Sequence, residues 1–389
     1  MGNKILISLV FLFTSLCGYS RTMDEVEFSV ITIGPYENEL YSAFGHSGIR
    51  LSDKNNGTDY FYNYGIFDFD QPNFYLNFLN GKLLYMVGKY DFLSVEEFYK
   101  SQNRYIKEQI LNLDESEKIL LYNYLEQNIR PENREYLYNY VYNNCATKIR
   151  DVLVSILGER LKFDDKIESK SFRNFMDIYL ENNKWGDLGI DICLGPTIDN
   201  KLSYSDQMFL PEYLHSALEN ATLDNNKKLV SKSNVYIPDK KEEIKSFLQP
   251  WVIFFLLLLL SLYLSFKQIK YGIKFIYFDS ALFFITGLVG ILLFYLWFFT
   301  DHLSTNNFNL VWAFPLNFFI SFLIIKRYEY NWITKYMTVY AAFLLATLLM
   351  WKFIPQELNK TLILLLIAIL LRLFSNVIHV SRIKNLNRS

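Results

Sequence analysis

The chain has 389 residues, of which 51% are hydrophobic and 18% aromatic, with a formal net charge of −1 at pH 7. That balance hides two contrasting parts, because residues from 250 onward carry 12 Lys or Arg against 4 Asp or Glu, and the preceding residues carry 27 against 36. The first part, with a net charge of −9, lacks the basic footprint that nucleic-acid binding requires. We expect two domains and no nucleic-acid partner.

Residues 1–20 have the pattern of a secretory signal peptide. Lys4 supplies the basic start, residues 5–16 form an apolar run too short for a comfortable membrane span, and small residues precede a cleavage point near Arg21. Cys17 also permits a lipoprotein signal, although Thr14 stands at the position where such a signal has Leu. We predict that residues 21–247 form an exported domain in the periplasm.

Three short segments are predicted as β-strands by their composition: residues 28–33, 47–51 and 60–66. The last two flank Asn56-Gly57, which is a strong signal for a hairpin turn. Pairing outward from this turn places His46 opposite residues 63–65.

Two amphipathic helices follow in the same part of the chain. Residues 113–127 begin with Asp114 and Glu117, the spacing of a capping box. Residues 146–157 place apolar side chains on one face, and Gly158 ends the pattern. The polar residues that continue to the membrane part offer no motif that can be interpreted.

Five hydrophobic segments have about the length that a bilayer requires: residues 248–266, 275–299, 309–325, 333–352 and 360–380. Basic residues cluster after the first, between the third and fourth, and after the fifth segment. The positive-inside rule therefore places the N-terminal domain outside the cytoplasm and the tail, residues 381–389, inside. We predict a multi-pass protein of the bacterial inner membrane, with an all-α domain of five transmembrane helices at residues 248–380.

Two groups of residues in this reading have alternative interpretations. Arg372 lies well inside the fifth segment, and we expect it to snorkel to the cytoplasmic interface, with pairing to Asp279 as the alternative. Five aromatic residues are expected either in the core or as an acyl-chain groove or membrane-facing lip: Phe67, Phe69, Phe74, Tyr75 and Phe78.

Cys145 and His46 are the candidate catalytic pair. Cys145 lies at the start of a predicted helix, where the helix dipole favours a thiolate and a backbone N–H can stabilise an oxyanion. His46 lies at a strand start between small residues, which leave room for the ring as a base. Asn63 is the expected group that orients the imidazole, with Tyr64 and Asp68 as alternatives.

Structural interpretations of these two residues compete with the catalytic one. Export permits a disulfide between Cys145 and Cys193. A histidine and a thiol that are simply buried in the core are also common.

The order of the pair adds a resemblance. A strand histidine followed by an Asn-Cys motif that opens a helix, here His46 and Asn144-Cys145, resembles the circularly permuted branch of the NlpC/P60 superfamily. That branch includes thiol acyltransferases similar to lecithin–retinol acyltransferase. The resemblance implies an α+β fold, a permuted papain-like exported domain, followed by the membrane helices.

A closer resemblance extends over most of the chain. Residues 41–50, 62–69, 143–151 and 300–310 resemble the Bacteroides-type lipoprotein N-acyltransferase family, Lnb. This resemblance implies that Cys145 and His46 are catalytic.

The resemblance also implies that the loop between the second and third spans docks a headgroup or substrate. Without the resemblance, the simpler interpretation is a loop that is only solvated. The expected substrate-binding residues are Asn144, Asp301, His302, Asn307 and Asn309. His302 as a second catalytic participant is a further alternative.

The expected function is lipoprotein N-acylation. A fatty acyl chain moves from a membrane phospholipid to Cys145 as a thioester, and then to the α-amine of a diacylglyceryl-cysteine lipoprotein. No cofactor and no metal are expected. A cell-wall peptidase or amidase of NlpC/P60 type, and a non-enzymatic membrane scaffold, are the alternatives.

Overall fold

The computed structural model describes residues 23, 25–36, 39–164, 168–238, 247–328 and 330–386. The expected signal peptide, with Cys17, and the last three residues of the expected tail lie outside the described residues. Over the part that is described, a mixed α/β region precedes an all-helical region, as the sequence predicts.

A seven-stranded antiparallel sheet forms the centre of the first region. Its strands are β1 (Val26–Ile33), β2 (His46–Asp53), β3 (Thr58–Ile66), β4 (Leu84–Asp91), β5 (Ile106–Leu111), β6 (Glu135–Leu137) and β7 (Val230–Ile237). Their order is β6-β4-β3-β2-β1-β5-β7. The order places β2, which begins with His46, at the centre of the sheet.

The hairpin between β2 and β3 confirms the prediction made from Asn56-Gly57. Gly57 has a φ of 63°, a left-handed conformation that glycine adopts without strain. The Asp53 carboxylate accepts hydrogen bonds from two backbone N–H groups of the turn, at 3.2 Å each. Gly48 pairs with Asn63, so His46, two residues earlier, lies level with the end of β3.

Helices cover both faces of the sheet. In chain order they are α1 (Phe74–Leu79), α2 (Phe92–Ser101), α3 (Glu115–Asn128), α4 (Cys145–Leu157), α5 (Phe172–Tyr179), α6 (Lys184–Cys193), α7 (Tyr204–Gln207) and α8 (Pro211–Asn220). α3 and α4 pack on one face, in a core that includes Ile49 and Val152, and α2 packs on the other face through Phe92. Burial of each large apolar side chain contributes about 1.5–3 kcal/mol to folding.

The predicted boundaries of α3 and α4 agree with the structure. Asp114 and Glu117 form the capping box at the start of α3. Gly158 is the residue that ends α4.

The polar segment after α4 is structured in a way that its composition did not indicate. It contributes α5 to α8, and β7 pairs with β5 at the edge of the sheet. Buried aromatic side chains, among them Phe175 and Phe209, hold these helices together. This segment therefore belongs to the domain and is more than a linker to the membrane.

Among the described residues, five α-helices lie in the second region, and each is long and apolar enough to cross a membrane when the third is counted with the turn before it. They are α9 (Pro250–Tyr271), α10 (Ile276–Phe299), α11 (Leu316–Arg327), α12 (Asn331–Leu349) and α13 (Leu362–Leu386). A short 3-10 turn, Phe308–Val311, precedes α11 within the third span. The number and approximate positions of the spans confirm the prediction.

Contacts between the two regions agree with the orientation inferred from charge. The loop between α10 and α11 and the loop between α12 and α13 both contact α6, through Asn309 and Asn359, which donate to Asp191 at 2.9 Å each. Trp185 donates to the carbonyl of Leu248, just before α9, at 2.7 Å. The basic residues cluster at the opposite helix ends.

The expectation that Arg372 snorkels to an interface is wrong. Arg372 is buried, and its Nε and Nη2 atoms donate to the two carboxylate oxygens of Asp279 at 2.7 and 2.9 Å. Gln268 also accepts from Nη2 at 2.7 Å. A bidentate ion pair inside the helix bundle satisfies the guanidinium where it lies, so it has no need to reach solvent.

Two glycines of α10 permit close contact with the chain of α11. A Cβ atom built on Gly290 would lie 2.1 Å from the carbonyl oxygen of Ala313, and one on Gly287 would lie 2.0 Å from the backbone nitrogen of Phe318. Backbones approach this closely only where side chains are absent, as at other small-residue contacts between membrane helices.

We therefore expect Gly290→Ala to destabilise the protein by about 1–3 kcal/mol, because the new methyl group meets backbone atoms that cannot move aside. The matched control is Gly189→Ala in α6, where an added Cβ meets nothing within 4 Å. Thermal unfolding of the detergent-solubilised protein measures both variants. Equal melting temperatures for the two variants would contradict this account of the helix contact.

Candidate active site

Asn144 fixes the position of Cys145 at the start of α4. The Asn144 side-chain oxygen accepts hydrogen bonds from the N–H groups of Ala146 and Thr147, at 2.9 and 3.0 Å. The Thr147 hydroxyl in turn accepts from the Asn144 N–H at 2.8 Å, which completes a capping box. Cys145 is therefore the first residue of a well-capped helix, as the sequence predicts.

The remaining hydrogens of Asn144 are also committed. Its Nδ2 atom donates to the carbonyl oxygens of Tyr140 and Phe209, both at 2.9 Å, and the side chain is buried. The proposed contact of Asn144 with substrate is thus corrected, because every polar atom of the side chain is used within the protein. Asn144 positions Cys145.

Backbone N–H groups surround the sulfur of Cys145. Those of Ser47, Ala146 and Cys145 itself donate to it, and each lowers the thiol pKa. Burial acts more strongly in the opposite direction, so the pKa of Cys145 lies above its usual range. This corrects the expectation that the helix dipole ionises the thiol, since the resting group is protonated at neutral pH.

His46 is oriented by Asn63. Its Nε2 atom lies 2.6 Å from Oδ1 of Asn63. A carbonyl oxygen only accepts, so Nε2 carries the proton and Nδ1 holds the lone pair. Burial and the charge of Arg104 lower the pKa of His46 to about 4, so the ring is neutral above that pH and able to accept a proton.

Gly65 lies beside both the imidazole of His46 and the side chain of Cys145. A Cβ atom built on Gly65 would lie 3.6 Å from Cε1 of His46 and 3.9 Å from Cβ of Cys145. The two catalytic candidates therefore face the same small space, which a side chain at this position would fill. Gly65 has a φ of 100°, so glycine is required by backbone conformation as well.

Two alternatives from the sequence are excluded. The Tyr64 hydroxyl donates to Asn128 at 2.9 Å, and Asp68 accepts from the backbone of Asp70, so neither orients His46. Cys145 and Cys193 are both free thiols, which rules out the disulfide in this structure.

Comparisons with family models match both regions of the chain. Residues 18–178 match the Lnb N-terminal periplasmic domain, and residues 241–384 match the Lnb transmembrane domain. The chain belongs to the Lnb family. It is therefore a multi-pass membrane protein of lipoprotein maturation, with a periplasmic domain that contains the Cys145 site. No curated protein and no solved structure matches the chain.

The Lnb loop between α10 and α11 is a joint between the two domains. Asn309 and Asn307 are buried, and their side-chain amides donate to the carbonyl oxygens of Asp191 and Ile192 at 2.9 and 2.8 Å. Gly195 allows this contact, because a Cβ there would lie 2.1 Å from the Thr305 carbonyl oxygen. The predicted role of both asparagines in substrate binding is corrected to one in holding the domains together.

Asp301 and His302 lie at the other end of this loop, against α1. The Asp301 N–H donates to the Asn80 carbonyl at 2.9 Å, and Nε2 of His302 lies 3.1 Å from the Phe78 carbonyl oxygen. Nothing in these contacts brings His302 to the thiol, so a second catalytic role has no support. Their predicted contact with substrate stays a prediction.

Several groups near the thiol were not identified from the sequence. Burial raises the pKa of Tyr99, Tyr136 and Tyr138, and their nearness to Cys145 adds to this effect. The charge of Arg104 acts on Cys145 in turn and opposes the larger effect of burial on the thiol pKa. These residues lie in segments with no motif. Strand pairing is the signal that could have indicated Arg104. Ile33 pairs with His46, and Arg104 donates to the carbonyl oxygen of Gly34, the residue after Ile33.

An acidic cluster at the joint does not require a metal. Carboxylate oxygens of Asp177, Asp187 and Asp191 lie within 4.8 Å of one another. Burial and the neighbouring carboxylates raise the pKa of Asp177 to about 8, so it keeps a proton that it donates to Asp187. Arg173 neutralises Asp191 at 2.6 Å. A shared proton and one ion pair thus account for the cluster.

The protonation states predict how the thiol reacts with iodoacetamide. In a Cys193→Ala background, alkylation of Cys145 should be slow at pH 7 and should accelerate only above the usual pKa range of cysteine, because burial raises the thiol pKa. The measurement is the alkylation rate by mass spectrometry across pH. The control, His46→Ala, should leave the profile almost unchanged. A plateau reached below pH 7 that depends on His46 would indicate a preformed ion pair instead.

Proposed function

We propose that this protein is a lipoprotein N-acyltransferase that uses Cys145 as the nucleophile and His46 as the base. The observation that carries the proposal is that the Cys145 thiol, with backbone N–H groups near its sulfur, and the Asn63-oriented imidazole of His46 both lie beside Gly65. A nucleophile, a base and a group that orients the base are the parts that acyl transfer through a thioester requires. The permuted papain-like fold remains part of this proposal.

In the first half-reaction, Cys145 attacks an ester carbonyl of a membrane phospholipid. The thiol proton passes to Nδ1 of His46 as the C–S bond forms, and the N–H groups of Ser47 and Cys145 donate to the oxyanion. Collapse breaks the ester C–O bond, and His46 returns the proton to the departing glycerol oxygen. The products are a lysophospholipid and an acyl thioester on Cys145.

In the second half-reaction, the free α-amine of a diacylglyceryl-cysteine lipoprotein attacks the thioester. The C–N bond forms and the C–S bond breaks, while the amine proton moves by way of His46 to the sulfur. The thiol and the neutral imidazole are restored, and the lipoprotein carries an amide. No cofactor and no metal take part in either step.

An aromatic lip supports access of the donor lipid. We use this name for Phe67, Phe69, Phe74, Tyr75 and Phe78. Phe69, Tyr75 and Phe78 are exposed, with 81% of Tyr75 and 58% of Phe78 accessible, so the alternative that these residues form core is wrong for them. Exposed aromatic clusters of this kind are typical of membrane or ligand contacts.

Contacts with the second span hold the lip near the membrane surface. The Tyr295 hydroxyl of α10 donates to Oδ1 of Asn80 at 2.6 Å, directly after α1. Together with the contacts of Asp301 and His302, this places α1 at the outer end of the span. We propose that the lip enters the bilayer surface and guides the acyl chain toward Cys145, in the inner membrane.

The apolar lip argues against the cell-wall peptidase alternative. Peptidoglycan is hydrophilic, and recognising it gives no reason to expose Tyr75 and Phe78 beside the membrane helices. The scaffold alternative leaves the oriented His46 and the N–H groups around Cys145 without a role. Both alternatives remain outcomes of the following experiment.

The direct test is intact-protein mass spectrometry after incubation with phosphatidylethanolamine of defined chains. We expect the parent protein to gain the mass of one acyl group on Cys145, and His46→Ala to slow this gain at least 100-fold, because general-base catalysis contributes about 10²–10⁴. Addition of a diacylated lipopeptide should then remove the adduct and yield the N-acylated peptide.

Cys193→Ala is the matched control and should form the adduct at the parent rate. Protein that acylates lipopeptide without an intermediate on Cys145 would contradict the mechanism. Cleavage of muropeptides without acyl transfer would establish the peptidase, and a Cys145→Ala variant that retains the cellular role would establish the scaffold.

The lip gives a separate prediction. Replacing Tyr75 and Phe78 together by Asp should slow acylation of Cys145 from lipid in vesicles about tenfold, because membrane contact scales with buried apolar surface. Acylation from detergent-dispersed short-chain lipid should change little. The control is Leu120→Asp on α3, an apolar site whose exposure is close to that of Phe78. Equal effects of the lip and control variants would contradict the membrane contact.

A further inference from the structure

Arg104 is a buried cation whose hydrogen-bonding capacity is largely unused. Only 5% of its surface is exposed. Its Nε donates to the Gly34 carbonyl at 2.7 Å, and Nη1 lies a weak 3.4 Å from the side-chain oxygen of Gln102. Among the described residues, Nη2 is buried and has no hydrogen-bond partner. One edge of the buried guanidinium therefore lacks a hydrogen-bond partner among the described residues.

The other deeply buried arginines of the described chain are all neutralised. Arg173 pairs with Asp191 and Asp199 at 2.6 and 2.5 Å, and Arg372 pairs with Asp279. Arg104 has only the face of the Tyr99 ring, 4.8 Å from its Cζ atom. The charge of Glu39 raises the pKa of Arg104, but the two side chains form no ion pair among the described residues. A buried positive charge without a counter-ion is energetically costly, and binding of an anion from outside the protein would remove that cost.

The position of Arg104 ties it to the catalytic pair. The ring of Tyr99 lies 6.5 Å from that of His46, and the Cζ atom of Arg104 lies 4.8 Å from the centroid of the same Tyr99 ring. Gly34, which anchors Nε, follows Ile33, the register partner of His46. The charge of Arg104 also reaches both His46 and Cys145, where it lowers the pKa of each group. The unpartnered edge of Arg104 therefore lies in the surroundings of the thiol.

We propose that Arg104 binds the phosphate of the donor lipid and so places a neighbouring glycerol ester against Cys145. This inference rests on the proposed function. The planar guanidinium matches phosphate oxygens with two parallel hydrogen bonds, and Nη1 and Nη2 form the edge that Gly34 leaves available. In a glycerophospholipid the phosphate and the esters share one three-carbon unit, so binding the first positions the second. Arg104 thereby selects phosphate-bearing donors over neutral acyl esters.

The test compares donors that differ only in the phosphate. Full-length protein in detergent micelles is given phosphatidylethanolamine, or diacylglycerol with the same chains, or a p-nitrophenyl fatty ester, and single-turnover acylation of Cys145 is followed by mass spectrometry. Arg104→Gln should reduce the rate from phosphatidylethanolamine about 100-fold, as expected for removal of a buried charged hydrogen-bond partner. With the two uncharged donors, the rate for Arg104→Gln should stay within about threefold of the parent rate. Arg104→Lys should recover part of the rate that Arg104→Gln loses with phosphatidylethanolamine.

Two outcomes of the donor comparison overturn the inference. An equal loss with all three donors would mean that Arg104 acts on the thiol or the oxyanion, and unchanged rates with phosphatidylethanolamine would mean that it binds no donor phosphate. A measurement with inorganic phosphate alone tests whether free phosphate, rather than the phosphate of a lipid, is the ligand of Arg104. If it protects wild type against unfolding while Arg104→Gln keeps the preference for phosphatidylethanolamine, the site serves free phosphate and the inference fails.

A stability control separates ligand binding from a structural role. Without lipid, Arg104→Gln should lower the melting temperature much less than Arg173→Gln, which strands two buried carboxylates. A fall for Arg104→Gln as large as that for Arg173→Gln would assign Arg104 to folding. Failure of the proposed function looks different, because Cys145 of the wild type would then acquire no acyl group from any donor.

Discussion

The cap that Asn144 forms on α4 is the interaction on which the active site depends. One side chain accepts from two N–H groups of the helix and donates to two carbonyls, Tyr140 before it and Phe209 far along the chain. A cap of this kind contributes about 1 kcal/mol, and its buried amide hydrogens would be expensive to leave unpaired. The same contacts place the sulfur of Cys145 beneath the N–H of Ser47, so stability and chemistry share one anchor.

A second anchor sets the distance between the site and the membrane. Asp191 of α6 accepts from Asn309 and Asn359, two loops that join different pairs of spans, and its carboxylate also binds Arg173. Because both loops end on one residue of the periplasmic domain, the membrane helices and the thiol are held in one arrangement. The periplasmic domain is therefore held in place above the membrane helices, as the proposed transfer between two lipids of one leaflet would require.

Much of the fold could be predicted because local patterns determined it. The Asn56-Gly57 turn set the hairpin register, which brought Asn63 to His46. Asp114 and Glu117 marked the start of α3, and Gly158 marked the end of α4. The spans followed from length and hydropathy alone. In contrast, the region from α5 to β7 takes its structure from tertiary contacts, and polar composition concealed them. Arg104, Asn307 and Asn309 were misread or missed because burial decides their roles, and burial of a polar residue leaves no signal in its neighbours.

The thiol itself shows the same limit. A helix start predicts an ionised cysteine, and the N–H groups around Cys145 do lower its pKa, but burial is the larger effect. The consequence is a neutral pair at rest, in which the proton moves only when a carbonyl is present to be attacked. For the thioester that we propose, the burial that keeps the thiol protonated would also exclude water, the competing nucleophile. Our proposal for Arg104 adds selectivity to this picture, since a charge that finds its counter-ion only on the donor lipid would favour the complex over the empty site.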